Sequence, residues 1–236
     1  MTREQLRPYI PAFLLRLHWK YFKSKVRDFK TKNTEEIFTY IYKENHWRNN
    51  ESASGDGSTL NETQYIRKKL PLLLQQYQIK SILDIPCGDF NWMQHINLTG
   101  INYTGADIVK DLIVANSQKH SKPGIQFTNL DLTTDNLPAV DLIICRDCLV
   151  HLSQEKVIAA LRNIKRSGSK YLLTTSHISA KKNRDIVTGD WRPVNLVQPP
   201  YSLPQPITQF KDTPVTGENE FSDKVMALWE IKNLPL

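Results

Sequence analysis

The spacing of apolar and polar positions divides the chain into a helical first part and a strand-rich remainder. Apolar residues at helical spacing predict one helix over 34–48, capped at Thr34, and another over 60–77 that Pro71 kinks or breaks. Between them, 49–58 has the glycine, serine and asparagine content of a turn-forming loop. Both helices therefore precede the first predicted strand.

From residue 81 onward, short apolar runs alternate with helical segments. The apolar runs predict strands over 81–85, 103–108, 125–130, 140–145 and 171–175. Helices are predicted over 91–96, 110–119 and 154–165, the last capped by Ser153. A final strand over 224–231 is expected to pair antiparallel at the sheet edge. This alternation predicts a Rossmann-like, doubly wound α/β fold, with a mostly parallel seven-stranded sheet and an antiparallel C-terminal hairpin.

These predictions divide the chain into three regions. A basic, partly amphipathic arm covers 1–33, a helical cap covers 34–78, and the Rossmann-like core covers 79–236 with a proline-rich insertion at about 178–215. The chain has 31 Lys and Arg against 24 Asp and Glu, and the arm holds much of the excess. Its apolar run is too short to span a bilayer. We expect the arm to contact a membrane surface, its own domain or a second subunit, and the oligomeric state stays open.

The cysteines Cys87, Cys145 and Cys148 form no spacing typical of a disulfide framework or a complete zinc site. An odd number of cysteines in a chain of this length is typical of a reducing compartment. We therefore expect structural thiols and a cytoplasmic protein, peripheral at the inner membrane surface if the arm binds there.

Acidic residues end three successive predicted strands. Ligands of open α/β sheets bind beyond the carboxyl ends of the strands. There Asp84 can meet a positively charged amino group, and Asp107 can accept hydrogen bonds from ribose hydroxyls. Asp131 and Leu132 lie where an adenine edge would be contacted, and Gly88 lets the backbone pass close to a ligand. The three acids together predict a nucleoside-binding site.

The loop after the first strand has one glycine instead of G-x-G-x-x-G, and the charge of Asp89 disfavours a pyrophosphate, so a cationic sulfonium cofactor fits better. The segment Ile82-Leu-Asp-Ile-Pro-Cys-Gly-Asp89 resembles motif I of class I S-adenosylmethionine-dependent methyltransferases. Pro86 replaces the first glycine of that motif and Phe90 the last. The chain looks closest to a bacterial group of this family, a resemblance that runs from about residue 35 to the C-terminus. The residues that carry it are Trp47, 51–58, 86–92, 146–148 and 195–196.

This resemblance implies a methyltransferase that uses S-adenosylmethionine and releases S-adenosylhomocysteine. It also implies that 51–58 folds over the cofactor site and that the backbone of 54–57 meets the methionine carboxylate. The predicted cofactor-binding residues are Glu51, Ser54, Gly55, Gly57, Asp84, Pro86, Cys87, Gly88, Asp89, Trp92, Asp107, Ile108, Asp131, Leu132 and Arg146.

Methyl transfer to a hydroxyl requires an aligned nucleophile and a base that removes its proton. Asp147 and His151 follow the fourth strand, and a histidine titrates at about pH 6.5. His151 is therefore the predicted base, with Asp147 to orient it, and His177 at the end of the fifth strand is the second candidate. The reaction needs no metal and none is predicted, although these three side chains together could hold a divalent cation.

The insertion mixes hydroxyl-binding side chains with a Trp that can stack on a sugar. The predicted substrate-binding residues are Asn183, Asp185, Trp191, Arg192 and Asn195. The expected reaction is O-methylation of a small-molecule or glycan-type acceptor.

Three other functions stay open at this stage. N- or carboxyl-methylation of a peptide or natural product would need less base catalysis. Nucleic-acid methylation is disfavoured because no aromatic residues interleave with a basic groove, and Cys145-Arg-Asp-Cys148 stands where a base-methylation motif would lie. A non-catalytic nucleotide-binding scaffold is the alternative outside enzymes.

Overall fold

A computed structural model describes residues 28–212 and 223–235, so 1–27 of the predicted arm lie outside the described residues. The helices are α1 (Thr34–Lys43), α2 (Gln64–Gln76), α3 (Lys110–His120) and α4 (Gln154–Arg166). The strands are β1 (Ser81–Asp84), β2 (Asn102–Asp107), β3 (Ile125–Asn129), β4 (Leu142–Cys145), β5 (Tyr171–His177), β6 (Thr208–Lys211) and β7 (Lys224–Glu230). None of the helices in these ranges has the length and apolarity needed to cross a bilayer.

The seven strands form one sheet in the order β3-β2-β1-β4-β5-β7-β6. The first five pair in parallel, and β7 lies antiparallel between β5 and β6, which confirms the predicted fold class. The predicted edge position of the last strand is wrong, because β6 pairs along its outer side. β7 is buried over five consecutive residues, as suits an inner strand, whereas β6 alternates between half-buried and exposed positions.

Apolar layers cover both faces of the sheet. On one face, Leu161 and Ile164 of α4 pack in a core cluster with Leu172 of β5. On the other, α2 contributes Leu70 and Leu74 to a second cluster that includes strand residues of β1 and β4. The sheet and the helices on its two faces thus form a three-layer sandwich. Loops at the carboxyl ends of the strands can build a site there.

The helix predicted over 34–48 starts and ends differently. Asn33, not Thr34, is the N-cap, because its Oδ1 accepts from the Glu36 backbone N–H at 2.9 Å, while the Glu36 carboxylate accepts from the Asn33 N–H at 2.9 Å. The helix ends at Lys43, since Asn45 and Arg48 adopt positive φ. Residues 44–47 form a turn, and Trp47 in this turn lies against His151.

Two further helix predictions need correction, while the cap of α4 is confirmed. Pro71 lies inside a continuous α2, where its missing N–H removes one hydrogen bond but the flanking buried leucines hold the helix. The predicted helix over 91–96 is only the 3-10 turn Met93–His95, because Phe90 has a φ of 60° and redirects the chain. Ser153 caps α4 as predicted and accepts from the Lys156 N–H.

Candidate functional site

The loop after β1 is fixed between β2 and α3. Gly88 has a φ of 55° and donates its N–H to Asp107 Oδ2 at 3.2 Å, while its carbonyl accepts from Asn116 Nδ2 at 2.7 Å. The Cys87 N–H donates to the Ala106 carbonyl at 2.8 Å, and its thiol is buried. This loop therefore presents a rigid glycine turn beside Asp84 and Asp107, the carboxylates that end β1 and β2.

Both strand-end carboxylates are buried, and burial raises the pKa of each. Asp84 accepts from the Tyr103 hydroxyl at 2.7 Å; desolvation raises its pKa to about 7 against the lowering effects of Tyr103 and Arg146. Desolvation likewise raises the pKa of Asp107 to about 6, although it accepts from the Val109 and Gly88 N–H groups. Buried acids with raised pKa values are common at functional sites.

Residues 51–58, named the cover segment below, lie on this loop. The Asp89 carboxylate accepts from the Ala53 N–H at 2.7 Å and from Ser52 Oγ at 3.0 Å, and the Asp89 N–H donates to Ser54 Oγ at 3.1 Å. A methyl group added at Gly88 would stand 2.2 Å from Ser54 Oγ. Any larger residue at this position would have to displace Ser54 and would adopt a strained φ of 55°.

Glu51 anchors the cover segment from the outside. Its Oε1 accepts from the Leu60 N–H at 2.6 Å and from Asn91 Nδ2 at 3.0 Å. Because this side chain joins the start of the segment to the residues that follow it and to the loop after β1, its observed contacts are structural. Its predicted contact with a cofactor stays a prediction.

Arg146 lies under the other end of the cover segment. Its Nη1 donates to the Gly57 carbonyl at 2.7 Å, its Nε donates to Asp212 Oδ2 at 2.9 Å, and the guanidinium stacks 5.7 Å from the Trp92 ring centroid. Among the described residues, its buried Nη2 and Asp212 Oδ1 have no hydrogen-bond partner. A buried guanidinium with an unused N–H pair is suited to an anionic or hydroxyl oxygen of a ligand.

Asp147 is held as a carboxylate by two cations. Lys224 Nζ lies 2.6 Å and Arg146 Nη1 3.2 Å from its Oδ2, and its Oδ1 accepts from the Thr175 hydroxyl at 3.2 Å. Burial alone would raise the pKa of Asp147, but Lys224 and Arg146 outweigh it and hold the pKa below its usual range. Asp147 thus acts as a fixed negative charge and not as a proton acceptor.

His151 presents a basic nitrogen. Its Nδ1 lies 2.9 Å from the Asp190 carbonyl, and since a carbonyl only accepts, Nδ1 carries the proton. Nε2 then has a lone pair that no described residue engages. The ring stacks on Trp47 at 5.4 Å between centroids, and Trp47 in turn touches Gly55 of the cover segment. Burial lowers the pKa of His151 against the opposing effects of the Asp190 carbonyl and Asp147, so the ring is neutral at neutral pH.

His177 is more enclosed than His151. It is 2% exposed, its Nδ1 lies 3.4 Å from Asp223 Oδ1, and Trp191 meets its ring edge-on at 5.9 Å. Burial lowers the pKa of His177, opposed by Asp223. Within the described part of the chain, Asp147, His151 and His177 do not form a group placed to hold a metal ion.

The third strand-end acid is turned towards its own loop. Asp131 Oδ1 accepts from the Thr133 N–H and hydroxyl, both at 2.7 Å. A cavity of ≈ 270 Å³ nevertheless opens beside it and is lined by Ile108 and Asn129, whereas Leu132 is buried in the core. The predicted adenine side therefore has a concave surface, with the Asp131 carboxylate at its wall.

The predicted substrate residues mostly hold the insertion together. The Asn183 side chain bonds the backbone N–H and carbonyl of Asn195, and Asn195 Nδ2 donates to the Ile178 and Ala180 carbonyls. Asp185 accepts from the Gln154 N–H at the start of α4 at 2.7 Å. Arg192 is fully buried and donates to the Leu149 carbonyl and to the Tyr201 hydroxyl. These polar groups are occupied internally, and of the five only Trp191 presents a half-buried aromatic surface next to His177.

The sequence reasoning missed several residues of this site. Asp212 and Lys224 were not singled out because they follow Arg146 by 66 and 78 positions and join it only through pairing of β6 with β7. Tyr103 meets Asp84 across neighbouring strands β1 and β2, so only the sheet register could have revealed it. Trp47 was noted as a marker of the resemblance, without the contact to His151 that gives it a role.

Comparisons with known proteins identify the domain. Residues 83–168 match the family model described as a methyltransferase domain, and this stretch runs from β1 through α4. No curated protein matches the chain in sequence.

Solved structures share the fold at low sequence identity. The N-methyltransferase NodS of Bradyrhizobium japonicum, in complex with S-adenosylhomocysteine, aligns with a TM-score of 0.58 and 17% identity over 81% of this chain and 97% of that one. Human N-acetylserotonin methyltransferase in complex with SAM aligns with a TM-score of 0.54 and 16% identity. The alignment covers 89% of this chain and 65% of the human protein's chain. The methyltransferase domain of bacterial CtHen1 gives a TM-score of 0.53 and 13% identity over 73% and 98%.

Proposed function

Since the chain is a class I S-adenosylmethionine-dependent methyltransferase, we propose that it methylates a hydroxyl oxygen of a small-molecule or glycan acceptor. The observation that carries this proposal is the free Nε2 lone pair of His151. A hydroxyl is a weak nucleophile unless its proton is removed as the new bond forms. An N-methyltransferase acting on a neutral amine has no such need for a base at that point.

The residues around Gly88 fit the cofactor. S-adenosylmethionine supplies a methyl group on a positively charged sulfur. Asp84 and Asp107 are buried carboxylates at the ends of adjacent strands, and we assign them to the cofactor amino group and the ribose hydroxyls. The unused Nη2 of Arg146 is the candidate donor to the methionine carboxylate.

The cover segment supports the same assignment. Its backbone passes over Gly88 and is tied to Asp89 on one side and to Arg146 on the other. A segment held at both ends over a glycine turn excludes water from the cofactor region. Ser54 to Gly57 are the proposed backbone contacts of the cofactor in this segment.

A short series of contacts joins His151 to the cofactor loop. Ser54 lies against Gly88, Gly55 against Trp47, and Trp47 against His151. Asp147, which contributes to the electrostatic environment of His151, lies 3.0 Å from the position of a Cβ at Gly57. Its fixed negative charge would stabilise the imidazolium that forms when His151 takes a proton.

The proposal is tested by pH–rate profiles of wild type and His151→Ala with a panel of hydroxyl-bearing sugars and phenols. A base must be neutral to accept a proton, so wild-type kcat should fall as the pH drops through the pKa of His151. Because burial lowers that pKa, the midpoint should lie below the usual histidine value of about 6.5. His151→Ala should lose about 10²-fold to 10⁴-fold in kcat and the acid limb of the profile.

The matched control is His95→Ala, which removes an exposed histidine of the 3-10 turn Met93–His95. It should leave both the rate and the profile unchanged. If His151→Ala keeps most of the activity, the hydroxyl proposal fails, and N- or carboxyl-methylation of a peptide or natural product becomes the better assignment.

The acceptor is further proposed to be attached to a lipid or a growing polymer at the inner membrane surface, in a cytoplasmic enzyme. The support for this part is the basic, partly amphipathic sequence of the arm, which would favour an anionic surface. Sedimentation with anionic vesicles, comparing the full chain with a form that lacks residues 1–27, tests it. Equal binding of both forms would contradict the role of the arm.

A further inference from the structure

A second cavity, of ≈ 420 Å³, lies between the start of α1, the start of α4 and the insertion. Its walls are the 3-10 turn Asp28–Thr31, the start of α1, the start of α4 and residues 187–188 of the insertion. Phe29 and Ile37 give it an apolar floor. Three lysines line it, which are Lys30, Lys32 and Lys156.

These lysines carry uncompensated charge. Among the described residues, none of them forms an ion pair with a carboxylate. Two acids near the cavity are engaged by other groups: Glu35 binds Lys110 at 2.9 Å, and Glu36 accepts from the Asn33 N–H. Three positive charges around one concavity create a potential that favours an anion.

The helix ends at this cavity are already capped by protein groups. Asn33 and Glu36 close the start of α1, and Ser153 closes the start of α4. The attraction for an anion therefore comes from the lysine side chains and not from free helix N–H groups. The cavity is therefore not an anion site formed by free N–H groups at a helix N-terminus.

The cavity continues into the proposed cofactor side with opposite charge. It shares Asn33, Thr34 and Lys156 with the ≈ 270 Å³ cavity beside Ile108. The ≈ 270 Å³ cavity is lined by three acids, Glu35, Asp131 and Asp135. The two cavities thus lie side by side: the one on the proposed cofactor side has a mainly acidic lining, and the other has a basic lining, with Lys156 between them.

The basic cavity also adjoins the candidate base. Ser153 and Thr188 line the cavity and bond each other at 3.1 Å, and the next residue, Gly189, donates its N–H to the His151 carbonyl at 2.8 Å. The cavity lining is therefore connected to His151 through the backbone of Gly189, the residue after Thr188. The cavity is where the remote part of an acceptor would lie while its hydroxyl approaches the base.

We propose that the lysine cavity binds a phosphate group of the methyl acceptor, so that the acceptor is a phosphorylated or phosphate-linked molecule. The assignment to the acceptor rests on the proposed function, whereas phosphate binding itself does not. Lysine ammonium groups bind phosphate as point charges without requiring a fixed fork geometry. The phosphate can belong to a soluble sugar phosphate or to a lipid headgroup.

The test compares wild type with a triple variant, Lys30→Gln, Lys32→Gln and Lys156→Gln, by calorimetric titration with inorganic pyrophosphate at low salt. Wild type should bind and the triple variant should bind at least about tenfold more weakly, a difference of about 1.4 kcal/mol. Added salt should weaken wild-type binding. Vesicles of phosphatidylcholine with and without phosphatidylglycerol form the second arm and distinguish a headgroup from a soluble phosphate.

The control triple variant is Lys68→Gln, Lys69→Gln and Lys80→Gln, which removes the same charge from exposed positions on α2 and before β1. It should bind both probes as wild type does. The inference is overturned if wild type binds neither probe, if the cavity variant binds both as tightly as wild type, or if the control weakens equally. His151→Ala should retain pyrophosphate binding, so failure of the hydroxyl proposal would not imitate failure of this one.

Discussion

Asp84 is the strand-end carboxylate whose pKa burial raises the most. Its carboxylate is buried against the Tyr103 hydroxyl, and desolvation raises its pKa to about 7. The folded chain therefore binds a proton at Asp84 that the unfolded chain releases at much lower pH. This residue destabilises the fold at neutral and alkaline pH, as is common where a protein keeps a charge ready for a ligand.

The expected result of Asp84→Asn is higher stability and weaker cofactor binding. With a folded pKa above the unfolded one, stability falls as the pH rises from about 4 to about 7. The variant should match wild type near pH 4 and exceed it by roughly 1–3 kcal/mol at pH 8, while S-adenosylhomocysteine affinity falls. Urea unfolding at several pH values and calorimetry measure the two effects.

Asp111→Asn is the control for this substitution. Asp111 is an exposed carboxylate paired with Lys43 at 3.0 Å, and its replacement should change stability by less than about 1 kcal/mol. A loss of stability in Asp84→Asn at pH 8 would show that the Tyr103 contact outweighs desolvation.

At the scale of elements, α1 supports both the cover segment and the lysine cavity. Its reciprocal cap between Asn33 and Glu36 fixes where the helix begins. It thereby positions Phe29 and Ile37 at the floor of the lysine cavity. The sequence pattern indicated the helix but placed the cap at the next residue, Thr34. Thr34 is instead buried inside the first turn, and local sequence alone does not distinguish two adjacent capping side chains.

Asn33→Ala should lower the free energy of unfolding by about 1 kcal/mol, because the Glu36 N–H loses its acceptor. Asn33→Ser keeps a capping oxygen and should lose only a fraction of that. Thermal and urea unfolding of the two variants measure the difference. Equal losses in both would mean that Asn33 stabilises α1 through something other than its cap.

The strands were the most predictable elements. Each run from β1 to β5 was placed within two residues of its observed start and end. The clearest signals were β1 and β4, which are short, buried and mainly apolar. β6 was not found, since its half-buried residues in the insertion show no such run. The acids Asp84 and Asp107 were found because strand ends are local features, whereas Asp212 depends on a distant pairing.

At the scale of the whole molecule, a buried network of ion pairs joins regions that are far apart in the sequence. Arg146 and Asp147 at the end of β4 meet Asp212 and Lys224 from the C-terminal strands, and Arg146 also holds Gly57 of the cover segment. Breaking a buried pair leaves an uncompensated charge, which is far more destabilising than losing a surface pair.

Asp212→Asn should therefore destabilise the protein by about 3 kcal/mol and weaken S-adenosylhomocysteine binding, because Arg146 and Lys224 would be left with Asp147 alone. Glu230→Gln is the control, since it removes a carboxylate from the same sheet region whose partner Lys232 is largely exposed; its effect should stay below about 1 kcal/mol. Urea unfolding and calorimetry provide both readouts. Unchanged affinity of Asp212→Asn for S-adenosylhomocysteine would show that the network does not contribute to cofactor binding.

The same network has a consequence for how the protein is made. During synthesis, Gly57 leaves the ribosome first, Arg146 later, and Asp212 and Lys224 last, yet all meet around one guanidinium. Contacts between residues so far apart in sequence form late and slowly. A nascent chain that has completed the loop after β1 would still lack the charges that hold the cover segment, so the proposed cofactor site closes only when the final strands have paired.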